Sequence, residues 1–316
     1  MADVSVVGEL NVDIILRGIN GFPELDKEKL ALEGKVTLGS SSAIFAVGLS
    51  RLGLDVNFIG AVGEDVFGRY IIETLKKERI NTKGIKIIEE VNTGFTVSLT
   101  YPENRALITY PGVMENFTVT EKDKRFIYGS RHLHISSYFL QKKLQQDVKD
   151  LYIYAKSEGL TTSLDPGWDP EDSNWNKVFE ILPYVDILFV NEIEAKRLSL
   201  IQDLSEEINL EEVTAKLAPK VRTLVVKLGA KGALAINDGM KYYEPGFKVD
   251  VVDTTGAGDS FNAGFIYAIL KDYSINDSLT IGNVCGALSC TGIGGTTKLP
   301  TEEELKNFLK KEAKNG

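Results

Sequence analysis

The sequence predicts an α/β protein: a three-layer α/β/α arrangement around a mostly parallel sheet, with a small separate β-sheet as a lid. Three observations predict it. Strand-length apolar runs alternate with helix-length segments along most of the 316 residues, the pattern of parallel strands joined by helical crossovers. The first run, Val4-Ser5-Val6-Val7, is β-rich and stops at Gly8, as suits a central strand buried on both faces. Between Gly94 and Tyr110 the alternation gives way to a hairpin pattern.

After Val4 to Val7 comes a less regular run, Val12 to Leu16, and a loop containing glycine and charges. Ser40 to Ser42 offer caps for a helix through Phe45, Val47, Leu49 and Leu52, which Gly53 ends. A strand at Val56 to Ile59 and a helix at Phe67 to Lys77 follow. Phe95, Val97 and Leu99 share one strand face, Pro102 to Arg105 turn the chain, and Ala106 to Tyr110 returns. Strands are then expected at His132 to Ser136, Thr162 to Leu164, Ile187 to Val190, Leu224 to Lys227 and Ala233 to Ile236. Helices are expected at Leu144 to Ser157 and near 192–199, 211–218, 257–270, 277–290 and 301–312. Residues 1–12, 39–91 and 113–316 thus form the main domain, and 13–38 with 92–112 form a discontinuous lid.

Composition narrows the function classes. The net charge is -9, which repels a phosphate backbone at long range and disfavours nucleic-acid partners. A small anionic ligand is compatible with it, because a few amides, a lysine and a metal can make one pocket positive. The apolar runs are too short to span a bilayer, and no basic segment leads into an apolar run at the start, so neither a membrane partner nor a signal peptide is expected. Cys285 and Cys290 lie five apart in one apolar helical stretch, which reads as buried thiols and a reducing, cytoplasmic setting.

The most informative segment is Asp253-Thr254-Thr255-Gly256-Ala257-Gly258-Asp259-Ser260-Phe261. Gly256 and Gly258 let the backbone turn tightly and approach a ligand. A helix follows, whose start offers free N–H groups and a field that favours an anion. Asp259 sits in its first turn, where a carboxylate stays ionised. Phosphoryl transfer needs this combination: fixed donors for the charge in transit, and a base that takes the proton of the acceptor hydroxyl. The amides from Gly256 through Ala257 and Gly258 to Asp259 suit the first task, and the Asp259 carboxylate suits the second.

This nine-residue string resembles the C-terminal signature of the ribokinase-like sugar and nucleoside kinases, the PfkB carbohydrate kinases. The resemblance extends over nearly the whole chain. Gly8-Glu9-Leu10-Asn11-Val12-Asp13 is similar to the family's first strand and its substrate-contacting Asp, and Gly39 lies at its N-terminal glycine motif. Gly60 to Gly68 resembles a Gly-x-x-Gly-x-Asp-x-x-Gly segment, Asn191-Glu192-Ile193-Glu194 the Asn-x-x-Glu motif, and Lys227 to Gly232 the nucleotide-side strand and turn. The resemblance implies a ribokinase-like fold, ATP as donor, Asp259 as base, and Gly256 to Gly258 as the anion hole. It implies that Asn191 and Glu194 organise Mg²⁺, partly through water, that Lys227, Gly229 and Asn283 lie on the nucleotide side, and that K⁺ binds near Asp253. Independently, Asn191 and Glu194 follow a strand of the parallel sheet and share a helix face, where such folds bind ligands. Gly-x-x-x-x-Gly-Lys-Ser/Thr does not occur, so this is not a P-loop kinase.

On the acceptor side, Asp13, Gly39 and Ser40 are the expected contacts, with Ser136 after its strand and Arg105 from the lid. Here the chain departs from the family. Gly39-Ser40-Ser41-Ser42-Ala43-Ile44 has Ser40 at the second glycine and Ile44 where the family carries Asn. Isoleucine cannot hydrogen-bond a sugar hydroxyl, so either the acceptor is less polar there or another residue supplies the contact. Trp168 and Asp169, in the loop from Asp165 to Pro170, form no carboxylate-binding fork, which weighs against an anionic sugar acid. His132 and His134 alternate on one strand with no third ligand, so core or supporting placement is expected rather than zinc. Lid sheets in this family often pair between subunits, and an exposed sheet needs cover, so a homodimer is expected.

The expected function is therefore ATP-dependent phosphorylation of a hydroxyl on a sugar or related polyol. A nucleoside kinase is the alternative enzyme, with Ile44, Phe95 and Trp168 as apolar surface for a base. A non-catalytic sugar- or nucleotide-sensing protein is the alternative of another class. Retention of Asp259, Asn191 and Glu194 weighs against it, because binding alone needs no base.

Overall fold

The computed structural model describes residues 2–101, 105–201 and 209–315. Residues 102–104, at the expected hairpin turn, lie outside the described residues.

The chain opens with β1 (Val4–Val7), β2 (Asn11–Arg17), β3 (Glu33–Leu38) and α1 (Ser41–Arg51). Then come β4 (Val56–Gly63), α2 (Val66–Lys77), β5 (Asn81–Ile88), β6 (Gly94–Thr100) and β7 (Arg105–Tyr110). The middle holds β8 (His132–Ser136), α3 (Gln145–Ser157), β9 (Thr161–Asp165), β10 (Ile187–Asn191), α4 (Glu192–Leu198) and α5 (Leu210–Leu217). The remainder is β11 (Thr223–Lys227), β12 (Ala233–Asn237), β13 (Met240–Glu244), α6 (Ala257–Leu270), α7 (Ile275–Ser289) and α8 (Glu302–Asn315).

A nine-stranded sheet has the order β13-β12-β11-β10-β9-β8-β1-β4-β5, and a four-stranded sheet the order β3-β2-β6-β7. In the large sheet every pairing from β11 to β5 is parallel, while β12 and β13 add an antiparallel edge. The short apolar strands dictate this arrangement. Val4 and Val6 enter the core beside α1 and α6, while Val7 enters the opposite core beside α3. Phe189 and Val225 likewise face the first core, and Leu188, Val190, Leu224 and Val226 the second. A strand buried on both faces has no polar side to show, so its residues read as a continuous apolar run.

The lid segments pair as one sheet: Val12 lies opposite Leu38 and Phe95. β2 starts at Asn11, so the lid strand begins two residues before the expected boundary at residue 13. Three strands carry no clear apolar period and went unforeseen, β3 within the lid segment and β5 and β13 in the large sheet. β5 has charged and half-buried positions throughout, and β13 is an edge.

His132 and His134 point into the first core. The His134 ring stacks on Phe45 with centroids 3.7 Å apart. Hydroxyls serve all four ring nitrogens: Thr161 and Ser163 for His132, and Ser163 and Ser136 for His134. Burial pushes His132 down to about 3 and holds His134 below its ordinary value, so both are neutral core residues. Cys285 and Cys290 are buried free thiols. Among the described residues no helix is long and apolar enough to cross a membrane.

Candidate active site

The carboxyl ends of β8, β9, β10 and β11 open into one cleft of about 1160 Å³. A pocket of about 220 Å³ adjoins it beneath the lid, over the ends of β1 and β2. Open parallel sheets place their ligands at this edge, because strand ends and helix starts converge there.

Gly256 precedes α6 with φ 74 and no side chain caps the helix. Its left-handed backbone favours glycine, and a Cβ there would stand 2.9 Å from Gly295 Cα and 3.0 Å from Ile44 Cδ1. The Ala257 N–H already donates to Thr254 O at 3.2 Å. Of the other expected anion-hole amides, those of Gly258 and Asp259 lie in the first turn of α6. Gly256, Ala257, Gly258 and Asp259 all line the cleft.

Asp259 lines both the cleft and the pocket. Burial raises its carboxyl to about 7, Asp165 adds to the rise, and Lys227 and the Ser41 hydroxyl oppose it. A carboxylate with proton affinity near neutrality is suited to accept a hydroxyl proton.

Asn191 and Glu194 form a reciprocal helix cap. The Glu194 N–H donates to Asn191 Oδ1 at 2.9 Å, and the Asn191 N–H donates to Glu194 Oε2 at 2.8 Å. Both also line the cleft. The Asn191 amide is exposed to it, and burial together with Asp165 raises Glu194 above the ordinary carboxylate range. Among the described residues no cluster of three or more His, Cys, Asp or Glu forms a metal cage. One amide and one carboxylate oxygen suit a hard cation that keeps waters and takes its other ligands from phosphates. Mg²⁺ fits these donors on that basis. Asp253, where K⁺ is expected nearby, is held by the loops around it. Its Oδ1 accepts from Thr255 N and Oγ1 at 2.9 and 2.7 Å, and its Oδ2 accepts from Gly294 N at 2.8 Å. The carboxylate thus ties the anion-hole loop to the Gly292–Gly295 turn.

Lys227 ends β11 in the cleft, its Nζ 2.6 Å from Asp165 Oδ2. Gly229 is exposed in a turn that lines neither cavity. Asn283 is 7% exposed and donates its amide to Glu244 O and Pro245 O at 3.0 and 3.1 Å, joining α7 to the end of β13. The structure does not bring Gly229 or Asn283 into the cleft.

The pocket combines hydroxyl, amide and carboxyl groups with apolar surface. Glu9, Asn11, Asp13, Ser40, Ser41, Thr96, Ser98 and Thr109 line it, with Ile15, Ile44 and Leu107 among its apolar walls. Burial raises Asp13 to about 7 against the opposing charge of Arg105. Gly39 is needed beside it, since a Cβ would stand 2.3 Å from Asp13 Oδ1. Ser40 sits at φ 75, in the region that favours glycine. Its hydroxyl donates to Glu9 O at 2.5 Å and accepts from Ala43 N at 3.1 Å. Ile44 is 3% exposed and packs on Gly256 and Gly295. Arg105 crosses from the lid, donating to Thr255 Oγ1 at 2.5 Å.

The expected contact at Ser136 is corrected. Ser136 is 1% exposed, is paired with His134, and lines neither cavity. It shares the core-facing side of β8 with the two histidines. Ser137 leaves the strand with φ 51 and lines both cavities instead. Sequence reasoning also missed Glu9, Asn11, Thr96 and Asp165 as lining residues. Asn11 was within reach: it lies two residues before Asp13 on β2, so both side chains share a face.

The chain matches the pfkB family carbohydrate kinase model over residues 1–302. An ATP-dependent ribose-1-phosphate kinase of Halopiger xanaduensis is 31% identical, with 98% of each chain covered. A ribokinase of Haemophilus influenzae is 26% identical, with 97% of this chain and 98% of that one covered. The crystal structure of a Methanocaldococcus jannaschii nucleoside kinase, a ribokinase family member, superposes with a TM-score of 0.82 at 25% identity, covering 98% of this chain and 99% of that one. The chain belongs to the pfkB family and is an ATP-dependent carbohydrate kinase, with the ribokinase fold.

Proposed function

We propose that this kinase transfers the γ-phosphoryl group of ATP to a hydroxyl of a neutral sugar or related polyol held in the pocket under the lid, with Asp259 as general base. One observation carries the reading: Asp259 belongs to the wall of both the large cleft and the small pocket. A donor in the first and an acceptor in the second would meet at its carboxylate.

The acceptor oxygen attacks the γ-phosphorus, the bond to the ADP oxygen breaks, and the hydroxyl proton passes to Asp259. The amides of Gly258 and Asp259 and the Lys227 ammonium hold the charge on the group in transit. Asn191 and Glu194 would hold Mg²⁺ partly through water, and bound Mg²⁺ would neutralise phosphate charge. Asp13, Asn11 and Ser41 orient the acceptor through its hydroxyls, and Arg105 closes the lid over it, excluding water. Three carboxylates, Glu9, Asp13 and Asp259, line the pocket against one guanidinium, Arg105. That balance favours an uncharged acceptor over a sugar acid.

A nucleoside is the second reading, and Trp168 favours it. Its ring is 44% exposed and lines the outer cleft, where a base could stack.

A panel of pentoses, hexoses, sugar acids, polyols and nucleosides with Mg-ATP, with and without K⁺, tests these readings. Neutral sugars should be the preferred acceptors, and Asp259→Asn should abolish most turnover while ATP still binds. Saturable ligand binding with no transfer to any member would instead establish a sensor. Near-normal turnover in folded Asp259→Asn would remove the base.

A further inference from the structure

Asp165 ends β9 on the wall of the cleft and is 5% exposed. Neither the base nor a direct phosphate contact falls to it, yet three elements meet at its carboxylate. Oδ2 accepts from Lys227 Nζ, at the end of β11, and from Asn262 Nδ2, on α6, each at 2.6 Å. Oδ1 accepts from Gly167 N at 3.1 Å.

Both partners of Oδ2 lead to the helix start. The Lys227 ammonium rests against Gly258, where a Cβ would stand 3.2 Å from Nζ. An ammonium has three donors, so two remain for a ligand at the first-turn amides. Asn262 follows Gly258 by four residues, on the same helix face one turn on. Its amide orientation is fixed by the carboxylate, since the reverse would set two oxygens together. Its own Oδ1 is buried without a partner among the described residues, a cost accepted at a built contact.

Charge explains why a carboxylate is needed there. Lys227 lies within electrostatic reach of Glu194 and Asp259 as well as Asp165. A lysine on a flexible four-carbon stem goes to whichever carboxylate holds it. Without Asp165 it would swing onto Asp259 and tie up the oxygen that must accept a proton.

We propose that Asp165 is a positioning residue for phosphoryl transfer. It pins the Lys227 ammonium over Gly258, while Asn262 on α6 holds the Asp165 carboxylate in turn, so that lysine and helix amides form one preassembled site for the terminal phosphates of ATP. The proposal rests on the phosphoryl-transfer reading above.

A binding cycle tests it separately from that reading. The affinity for Mg-ATP, without acceptor, is measured by calorimetry for the native chain, Asp165→Asn, Lys227→Met and the double variant. Each single change should weaken binding about tenfold, and the double variant should be no weaker than Lys227→Met alone. A general structural role for Asp165 predicts multiplied losses, about a hundredfold in the double variant. That result, or an unchanged Asp165→Asn, overturns the proposal. Should Asp165→Asn fail to fold because Lys227 loses its partner, Lys227→Met removes the stranded charge. The comparison of the double variant with Lys227→Met then decides alone: equal affinities support the proposal, and a weaker double variant refutes it. A native chain that binds Mg-ATP but phosphorylates nothing would refute the kinase reading and leave this cycle readable.

Discussion

Asp259→Asn should abolish turnover and yet make the empty protein more stable. The carboxyl is desolvated at the meeting of cleft and pocket, and its value rises from 3.8 to about 7 against the help of Lys227 and Ser41. At about 1.36 kcal/mol per pH unit, that rise sets an upper bound of about 4 kcal/mol on the cost of keeping the ionised group folded. Water reaches the site through the open cleft, so ~1–2 kcal/mol is the working figure. The sign follows from linkage. A carboxyl raised on folding binds its proton more tightly in the folded state. Its contribution to stability is complete below 3.8 and is lost as pH rises through about 7. Asparagine keeps the shape, accepts the Ser41 hydrogen bond and carries no charge. At pH 8.5, without nucleotide or Mg²⁺, the variant should therefore melt roughly 2–4 °C above the native chain. At pH 5 the gain should shrink to about a third. Thermal unfolding by circular dichroism at the two pH values reads both. A gain that does not change with pH, or a loss, would show that Asp259 is not a strained carboxylate and would remove the physical basis for its role as base.

The remaining predictions concern the same neighbourhood. kcat/KM for the best acceptor should climb as pH passes about 7, because the base must be ionised; a flat profile from pH 5.5 to 8.5 contradicts it. Ser40→Gly should change unfolding free energy by less than about 0.5 kcal/mol, since relief of the positive φ offsets the lost bond to Glu9 O. Ser40→Ala keeps the strain and loses the cap, and should cost roughly 2 kcal/mol in denaturant titrations. Ser137→Ala should lower kcat/KM for the acceptor several-fold with little change in the KM for ATP. Ser136→Ala should leave both nearly unchanged and cost about 1–2 kcal/mol of stability, because it strands a ring nitrogen of His134.

Most of the fold was legible because its information is local. α6 was expected at 257–270 and spans Ala257–Leu270; the glycines set its start and an apolar run fills its length. The doubly buried strands announced themselves as β-branched runs. β5 and β13 did not, since a strand at a sheet edge is half solvated and its pattern is diluted by Lys and Tyr. Ser136 was misjudged for a different reason. Alternation places it on the histidine face of β8, and the left-handed backbone at Ser137, which re-aims the chain into the cleft, has no signal in a Ser-Ser pair.

The two halves of the site differ in the same way. The phosphate end is written in nine consecutive residues, because a helix start needs only its own backbone and two glycines. The acceptor end is assembled from the β1–β2 segment, the start of α1, the lid strands and Ser137, which are distant in sequence and meet only in the folded chain. Ile44 shows the consequence. Read alone, it looked like a missing polar contact. In the fold it packs against Gly256 and Gly295 and so supports the anion-hole turn, while Asn11, Asp13 and Ser41 line the pocket with polar groups. Substituting position 44 would disturb that packing, whereas Asn11, whose amide bonds Thr96 and Asp13, can be altered without touching the turn. The helix-start half of the site is therefore legible in one contiguous segment, whereas the pocket half becomes legible only once several separate segments have met.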